Sequence, residues 1–371
     1  MAATDSSVTT DEISHLVEKK RDQGSHECEV LGTSSHEAEE SSLAWQMCTK
    51  NPGHHQFIPA AEFSLDKLPQ WCRKPLVLDY VKYMCATTVR LKVGYTSWDR
   101  PDGYCFSSCR GTSLAHFGSG HLIAMSQHDG PCQCPECESS PSPHQTCHKL
   151  YIATAQHVVF NTEEAKATQV SFFYDDEASG TDGRVKIVWG TRGGSKGHEG
   201  DNSIFMCVTH DETLVSELKQ IQAQYKHLKF KFEGQAGTSP NIDWKNLCVV
   251  VSHPHGQPKK ITVGEMKSCT GAGTCNRRQF SYSTATCRGS SGAFVLSLEF
   301  YEAMPYVSWY TGMMWGAAHS FGGLNGEYNK SAYSNPDVAD FFTPISVRLP
   351  RSMLWLLGGT WMKSVWCLVN K

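Results

Sequence analysis

Three short stretches of the chain carry side chains that could share one reaction. Thr154-Ala155-Gln156-His157-Val158-Val159 puts a histidine at the end of the strand-like run 149–153. Gly200-Asp201-Asn202 puts an aspartate next to a glycine, and Thr286-Cys287-Arg288-Gly289-Ser290-Ser291-Gly292-Ala293 puts a serine among small residues. A serine hydroxyl is a weak nucleophile at neutral pH. It needs a neutral imidazole to take its proton and a carboxylate to fix that imidazole's tautomer. His157, Asp201 and Ser291 would supply all three, as general base, orienting group and nucleophile. Singly, each has an ordinary explanation: a core histidine, a turn aspartate, a glycine loop. The order histidine, aspartate, serine is what sets the trio apart, because the chemistry recurs in only a few chain orders.

Short elements must position them. From about Leu76 the chain becomes a series of runs rich in β-branched and aromatic residues, bounded by Gly, Pro, Ser and Asp, at intervals that suit an all-β barrel or sandwich. Only DETLVSELKQIQAQYKHLKF reads as a helix, with Leu214, Val215, Leu218, Ile221 and Tyr225 at helical spacing behind acidic residues. The expected layout is a first β unit over about 76–210, a connector helix over about 211–230 and a second β unit over about 240–347. His157 and Asp201 then fall in the first unit and Ser291 in the second, so the site lies in the cleft between them.

With these residues in view, TAQHVV resembles the histidine element of trypsin-like peptidases, and CRGSSGA resembles their nucleophile loop. The resemblance extends over roughly 76–347. It implies two antiparallel six-stranded β-barrels, a serine endopeptidase acting on protein or peptide substrates through an acyl-enzyme, and an oxyanion hole from the backbone N–H groups of Gly289 and Ser291. Trypsin has an aspartate just before the nucleophile, paired with a freshly cut amino terminus. Here that residue is Ser290, and no Ile-Val-Gly-Gly start is found near residue 76, so the likeness is closer to HtrA-like and glutamyl-endopeptidase-like members, and activation by N-terminal cleavage is not expected. GAAHSFGG (316–323) resembles a strand whose histidine holds a Glu or Gln side chain in such relatives. His319 would then bind substrate, Thr286 would add a hydrogen bond, and Ala285 disfavours Lys or Arg. His319 is farther beyond Ser291 than in those relatives, which requires an enlarged hairpin over 296–312. The competing expectation is a catalytically inactive, protease-like binding module with a zinc-braced loop.

That loop is Cys132-Gln133-Cys134-Pro135-Glu136-Cys137, followed by Cys147-His148. Three thiols within six residues suit a structural Zn²⁺. Cys147 is the expected fourth ligand, with His144, His148, Cys105 and Cys109 as alternatives. Ser252-His253-Pro254-His255-Gly256 reads as a turn rather than a metal site. No cofactor is expected for the chemistry itself.

Bulk properties narrow the setting. A net charge of −3 gives no reason to expect a nucleic-acid partner or an anionic-membrane surface. Residues 1–50 carry ten Asp or Glu against four Lys or Arg and few large apolar groups, so residues 1–60 are expected to be a disordered acidic tail. The start has no apolar core of the secretory kind, which points to a cytoplasmic protein whose sixteen cysteines are free or metal-bound. The apolar segment 348–371 is interrupted by Gly358, Gly359 and Lys363 and reads as packed rather than membrane-spanning.

Overall fold

The computed structural model describes residues 18–32, 36–193, 200–236, 246–272, 277–297, 317–323 and 327–332. The segment 348–371 and nearly all of the hairpin expected over 296–312 lie outside the described residues. Two short strands come first, β1 (Glu29–Val30) and β2 (Ile58–Pro59). Six strands then close a first antiparallel barrel: β3 (Thr88–Val93), β4 (His116–Asp129), β5 (Thr146–Ala155), β6 (Thr168–Phe172), β7 (Lys186–Gly193) and β8 (Asn202–Thr209). They run in the order β4-β3-β6-β7-β8-β5, with β5 returning to β4. The second barrel is β9 (Leu247–Ser252), β10 (Lys260–Ala272), β11 (Arg277–Tyr282), β12 (Phe294–Ser297), β13 (Ala317–Phe321) and β14 (Asn329–Ser331), closed between β10 and β11. This is the chymotrypsin-like double barrel that the motifs implied. Closure pairs most of each sheet's edges, leaving the start of β4 free on one side for β1.

Side-chain alternation explains why the runs form these strands. Leu150 and Ile152 of β5 point into the first barrel and are fully buried. β9 is buried on both faces: Leu247, Val249 and Val251 join one apolar cluster, Cys248 and Val250 another. Its unbroken apolar run follows from being covered twice.

The helices include α1 (Glu37–Gln46), α2 (Pro75–Thr87), α3 (Pro135–Glu138), α4 (Thr162–Lys166) and α5 (Glu212–Ala236). α5 is the connector. α2 was not legible as a helix, because PLVLDYVKYMCAT is rich in the β-branched and aromatic residues that read as strand. Pro75 at its first turn starts it, and Leu76, Val77, Tyr80, Val81 and Met84 are all buried, so packing rather than propensity decides. No helix of the described residues is long and apolar enough to cross a membrane.

The expectation of a disordered tail fails for residues 18–32 and 36–60. β1 adds a strand to β4, pairing Glu29 with Phe117 and Val30 with His116. Glu27, Cys28, Glu29, Val30 and Leu31 are buried. The composition argument counted only the apolar surface that the segment brings. It is held instead by backbone pairing and buried ion pairs with the barrels, which composition does not reveal.

A buried ion pair sits behind the cleft. Arg100 Nε lies 2.6 Å from Glu164 Oε1 with both side chains inaccessible to solvent, and the guanidinium also donates to the carbonyls of Cys105 (2.7 Å) and His157 (3.0 Å). Glu164, on α4, further accepts from the backbone N–H groups of Ser97 and Phe160.

Candidate active site

β5 ends at Ala155, and the turn after it presents His157. Two backbone bonds tie that turn to the start of β8: Gln156 N–H donates to the Asp201 carbonyl (3.0 Å) and His157 N–H to Asp201 Oδ1 (3.0 Å). Asp201 takes φ +55°, in the left-handed region that Asp tolerates better than most residues. Its Oδ2 lies 2.7 Å from His157 Nδ1, and His157 Nε2 lies 2.6 Å from Ser291 Oγ. Burial alone would push the Asp201 carboxyl up. The His157 charge and hydrogen bond, with help from His26 and the Ser320 hydroxyl, hold it below the usual carboxylate range instead. An ionised carboxylate only accepts, so the imidazole proton belongs on Nδ1. Nε2 is then free to accept from the serine hydroxyl.

The loop before Ser291 is shaped by glycine. Gly289 has φ +90°, and a Cβ there would lie 2.4 Å from the His253 carbonyl oxygen. Its N–H and that of Ser291 converge on a single oxygen, the carbonyl of Glu27, at 2.6 and 3.3 Å. Two fixed donors aimed at one carbonyl are what an oxyanion hole requires. The Ser290 hydroxyl accepts from Cys287 N–H (3.2 Å) and meets Ser252 Oγ (3.1 Å), so hydroxyls of the second barrel brace the loop where trypsin uses an ion pair. Gly289→Ala should turn one donor away and lower kcat by about a hundred- to a thousand-fold. Steady-state assay on a peptide substrate checks this, with the melting temperature recorded alongside.

The side chain of Glu27 fills the pocket beside the hole. His319 Nε2 lies 2.8 Å from Glu27 Oε2, while His319 Nδ1 is 2.6 Å from the Tyr282 hydroxyl. Burial lowers the pKa of His319 although Glu27 pulls it up, so the ring is neutral: Nε2–H donates to the carboxylate and Nδ1 accepts from Tyr282. Lys50 Nζ lies 2.5 Å from Glu27 Oε1, 3.2 Å from Thr286 Oγ1 and 3.3 Å from Asn329 Oδ1. Burial would raise the Glu27 pKa, but Lys50 and His319 together hold it well below the carboxylate range. Thr286 therefore reaches the carboxylate through the ammonium of Lys50. Lys50, Tyr282 and Asn329 escaped the sequence reading. Lys50 lies in the supposed tail, and no spacing links it to the pocket.

The thiol loop forms a compact cluster with one substitution. Cys132, Cys134 and Cys137 gather around His210, whose Nδ1 lies 3.6, 3.4 and 3.6 Å from their sulfurs. Zn–S bonds of about 2.3 Å and Zn–N bonds of about 2.0 Å at tetrahedral angles give S···N edges of about 3.5 Å. The donor set fits zinc. The expected fourth ligand, Cys147, packs in the same cluster but not within this group. His210 follows the end of β8, which lies beside β5 only in three dimensions, so spacing could not find it. His144 stacks on the His210 ring (4.0 Å) instead of offering a ligand atom.

Residues 143–308 match the family model described as lysyl endopeptidase, C-terminal domain. That match spans the histidine, aspartate and serine of the trio and less than half of the chain. Similar solved structures include the active form of the Rv3671c protease from M. tuberculosis, at 14% identity and TM-score 0.38, covering 76% of this chain and 89% of that one. Another is the HtrA-type protease AlgW with a tripeptide, at 12% identity and TM-score 0.36, covering 76% of this chain and 64% of that one. No curated protein matches the chain. Ser291 and His157 have no solvent exposure, and the backbone of Glu27 lies directly against the Ser291 hydroxyl.

Proposed function

We propose that the protein is a serine endopeptidase that cuts peptide bonds after glutamate, with Ser291 as nucleophile, His157 as general base and then acid, and Asp201 orienting the imidazole. One observation carries the glutamate preference: a glutamyl residue already sits in the cleft, its carbonyl on the N–H groups of Gly289 and Ser291 and its carboxylate between His319 and Lys50. A buried carboxylate needs both charge and hydrogen-bond partners, and this pocket supplies one of each. A lysyl side chain would meet Lys50 as a like charge. The order of events follows from the geometry. Ser291 attacks the carbonyl as its proton passes to His157 Nε2, the oxyanion forms on the two N–H donors, and His157 protonates the leaving nitrogen. Water then hydrolyses the ester with His157 as base.

The zinc cluster, which we assign to Cys132, Cys134, Cys137 and His210, would brace the loop between β4 and β5 and leave the chemistry to the trio. The function is tested with peptides that differ only in the residue before the cleaved bond. Glu should exceed Lys by about a hundred-fold or more in kcat/KM, because rejecting a like charge and leaving polar groups unpaired are both costly. Ser291→Ala should remove all turnover and all labelling by a fluorophosphonate. Label that survives this substitution would defeat the assignment.

A further inference from the structure

We propose that the chain is its own first substrate: Ser291 cleaves the bond between Glu27 and Cys28 of the same molecule. The proposal rests on the glutamyl-peptidase reading above. Segment 25–30 crosses the cleft, enters β1 at Glu29, and is held on both sides of one peptide bond. Upstream, the Ser25 carbonyl accepts from Gly322 N–H (2.9 Å), and the His26 ring stacks on His157 with centroids 3.9 Å apart. At the centre, Glu27 N–H lies 2.9 Å from Ser291 Oγ while its carbonyl occupies the oxyanion hole. Downstream, Glu29 and Val30 pair with β4 as β1. A segment that merely covered the cleft would have no need to set a carbonyl on two N–H donors beside the nucleophile. This one has the alignment of a substrate about to react.

The step balances within the chain and one water. Ser291 Oγ bonds to the Glu27 carbonyl carbon and its proton moves to His157. The Glu27–Cys28 C–N bond then breaks as that proton passes to the Cys28 nitrogen. Water hydrolyses the acyl-enzyme, leaving a Glu27 carboxylate and a new amino terminus at Cys28. Residues up to Glu27 are then tethered only by non-covalent contacts, among them Lys20–Glu29 (2.6 Å), Asp22–Ser108 (2.6 Å), Lys50–Glu27 and the stacking of His26. Their departure would open the cleft to other substrates. This differs from the trypsin device, since the new terminus is not asked to build the oxyanion hole, which is already formed.

Intact mass and N-terminal sequencing of the full chain test the idea. A new terminus at Cys28 is expected in the native protein, with a first-order rate independent of concentration. None is expected in Ser291→Ala or in Glu27→Lys, whose lysine the Lys50 side of the pocket repels. Glu27→Lys also frees the cleft for a fluorophosphonate. If that variant labels at Ser291 and cuts glutamyl peptides while the native chain stays whole, self-cleavage is wrong and the glutamyl-peptidase reading stands. If the variant neither labels nor cuts, the underlying reading falls with it. Cleavage that accelerates with concentration overturns the intramolecular route.

A separate cluster carries a second proposal. We infer that Cys48, His54, His255 and Cys287 bind a zinc ion that pins segment 48–54 to the nucleophile loop. One ligand atom from each lies within 4.8 Å of all the others. The two sulfurs are 3.5 Å apart, and Cys287 Sγ is 3.4 Å from His54 Nε2. Such edges fit a tetrahedral Cys₂His₂ site with Zn–S of about 2.3 Å. The second observation is His255, a buried ring whose Nδ1 is engaged by Glu29 Oε2 at 2.6 Å while its Nε2 has no hydrogen-bond partner. A carboxylate on one imidazole nitrogen and a bare second nitrogen aimed at thiols is the outer-shell arrangement of zinc histidines. The turn 253–256 thus does form, with His255 at φ +56°, and also presents a ligand.

Metal analysis of the full chain after zinc saturation tests the site. Cys48→Ser should lose one zinc per chain relative to the native protein, and an unchanged content overturns the proposal. Should that variant misfold, a Cys132→Ser/Cys134→Ser/Cys137→Ser chain, whose other cluster has lost all its thiolates, must still take up cobalt(II) with the absorption of a tetrahedral two-thiolate site. Absence of that absorption from the folded triple variant overturns the assignment equally.

Discussion

Asp201→Asn is expected to lower kcat by about ten-thousand-fold with the fold intact and KM little changed. The reason is the proton on the imidazole. Asp201 accepts at Oδ2 from His157 Nδ1 and at Oδ1 from the His157 backbone N–H. An asparagine amide placed to satisfy the backbone donor through its oxygen turns its NH₂ toward Nδ1. Nδ1 must then accept, which moves the ring proton to Nε2, where it faces the Ser291 hydroxyl 2.6 Å away. A protonated Nε2 cannot take the serine proton, so attack slows while the pocket formed by His319 and Lys50 is untouched. Steady-state kinetics on a glutamyl peptide, with circular dichroism as a check on folding, gives the result. A loss confined to KM, or a loss below ten-fold, would remove Asp201 from its role. Both chains carry Glu27→Lys in this assay, so that the cleft is open whether or not self-cleavage occurs.

Arg100→Met is expected to destabilise the protein by about 3–5 kcal/mol, because it leaves the Glu164 carboxylate buried without its counter-charge. For a domain of this size that corresponds to a fall in melting temperature of roughly 10 °C, read by thermal denaturation. The pair does more than balance charge. The same guanidinium donates to the His157 carbonyl, so its loss also frees the turn that presents the imidazole. Glu164 is held at both oxygens by Arg100 and by the backbone N–H groups of Ser97 and Phe160. Removing both charges together in Arg100→Met/Glu164→Met should recover much of the stability, since the burial cost then disappears with the ions. A single variant as stable as the native chain would show that solvent reaches this pair.

Much of the architecture could be read directly from the chain. Runs such as 149–153 and 247–251 carry their strand identity in local composition, and the period of 214, 215, 218 and 221 marks the connector helix. α2 has local marks, Pro75 at its first turn and Leu76, Val77, Tyr80 and Met84 at helical spacing, but its β-branched and aromatic residues hide them, and packing against β9 and its neighbours decides. The same divide runs through the site. His157, Asp201 and Ser291 stood out because chemistry demands their residue types in a known order, and Gly289 because the loop needs its backbone angle.

His210, Lys50 and Glu27 did not stand out. A candidate metal ligand just past the end of a neighbouring strand, an ammonium that enters a pocket from the far end of the chain, and a segment lying in its own cleft are all contacts between residues remote in sequence. The sequence determined which strands form, which residues could perform acyl transfer and in what order they occur. Tertiary structure decided which partners meet, because burial and charge pairing act through space and carry no signature along the chain. An acidic, weakly apolar segment looks unable to order itself until two barrels offer Glu27 a pocket and Glu29 a strand edge.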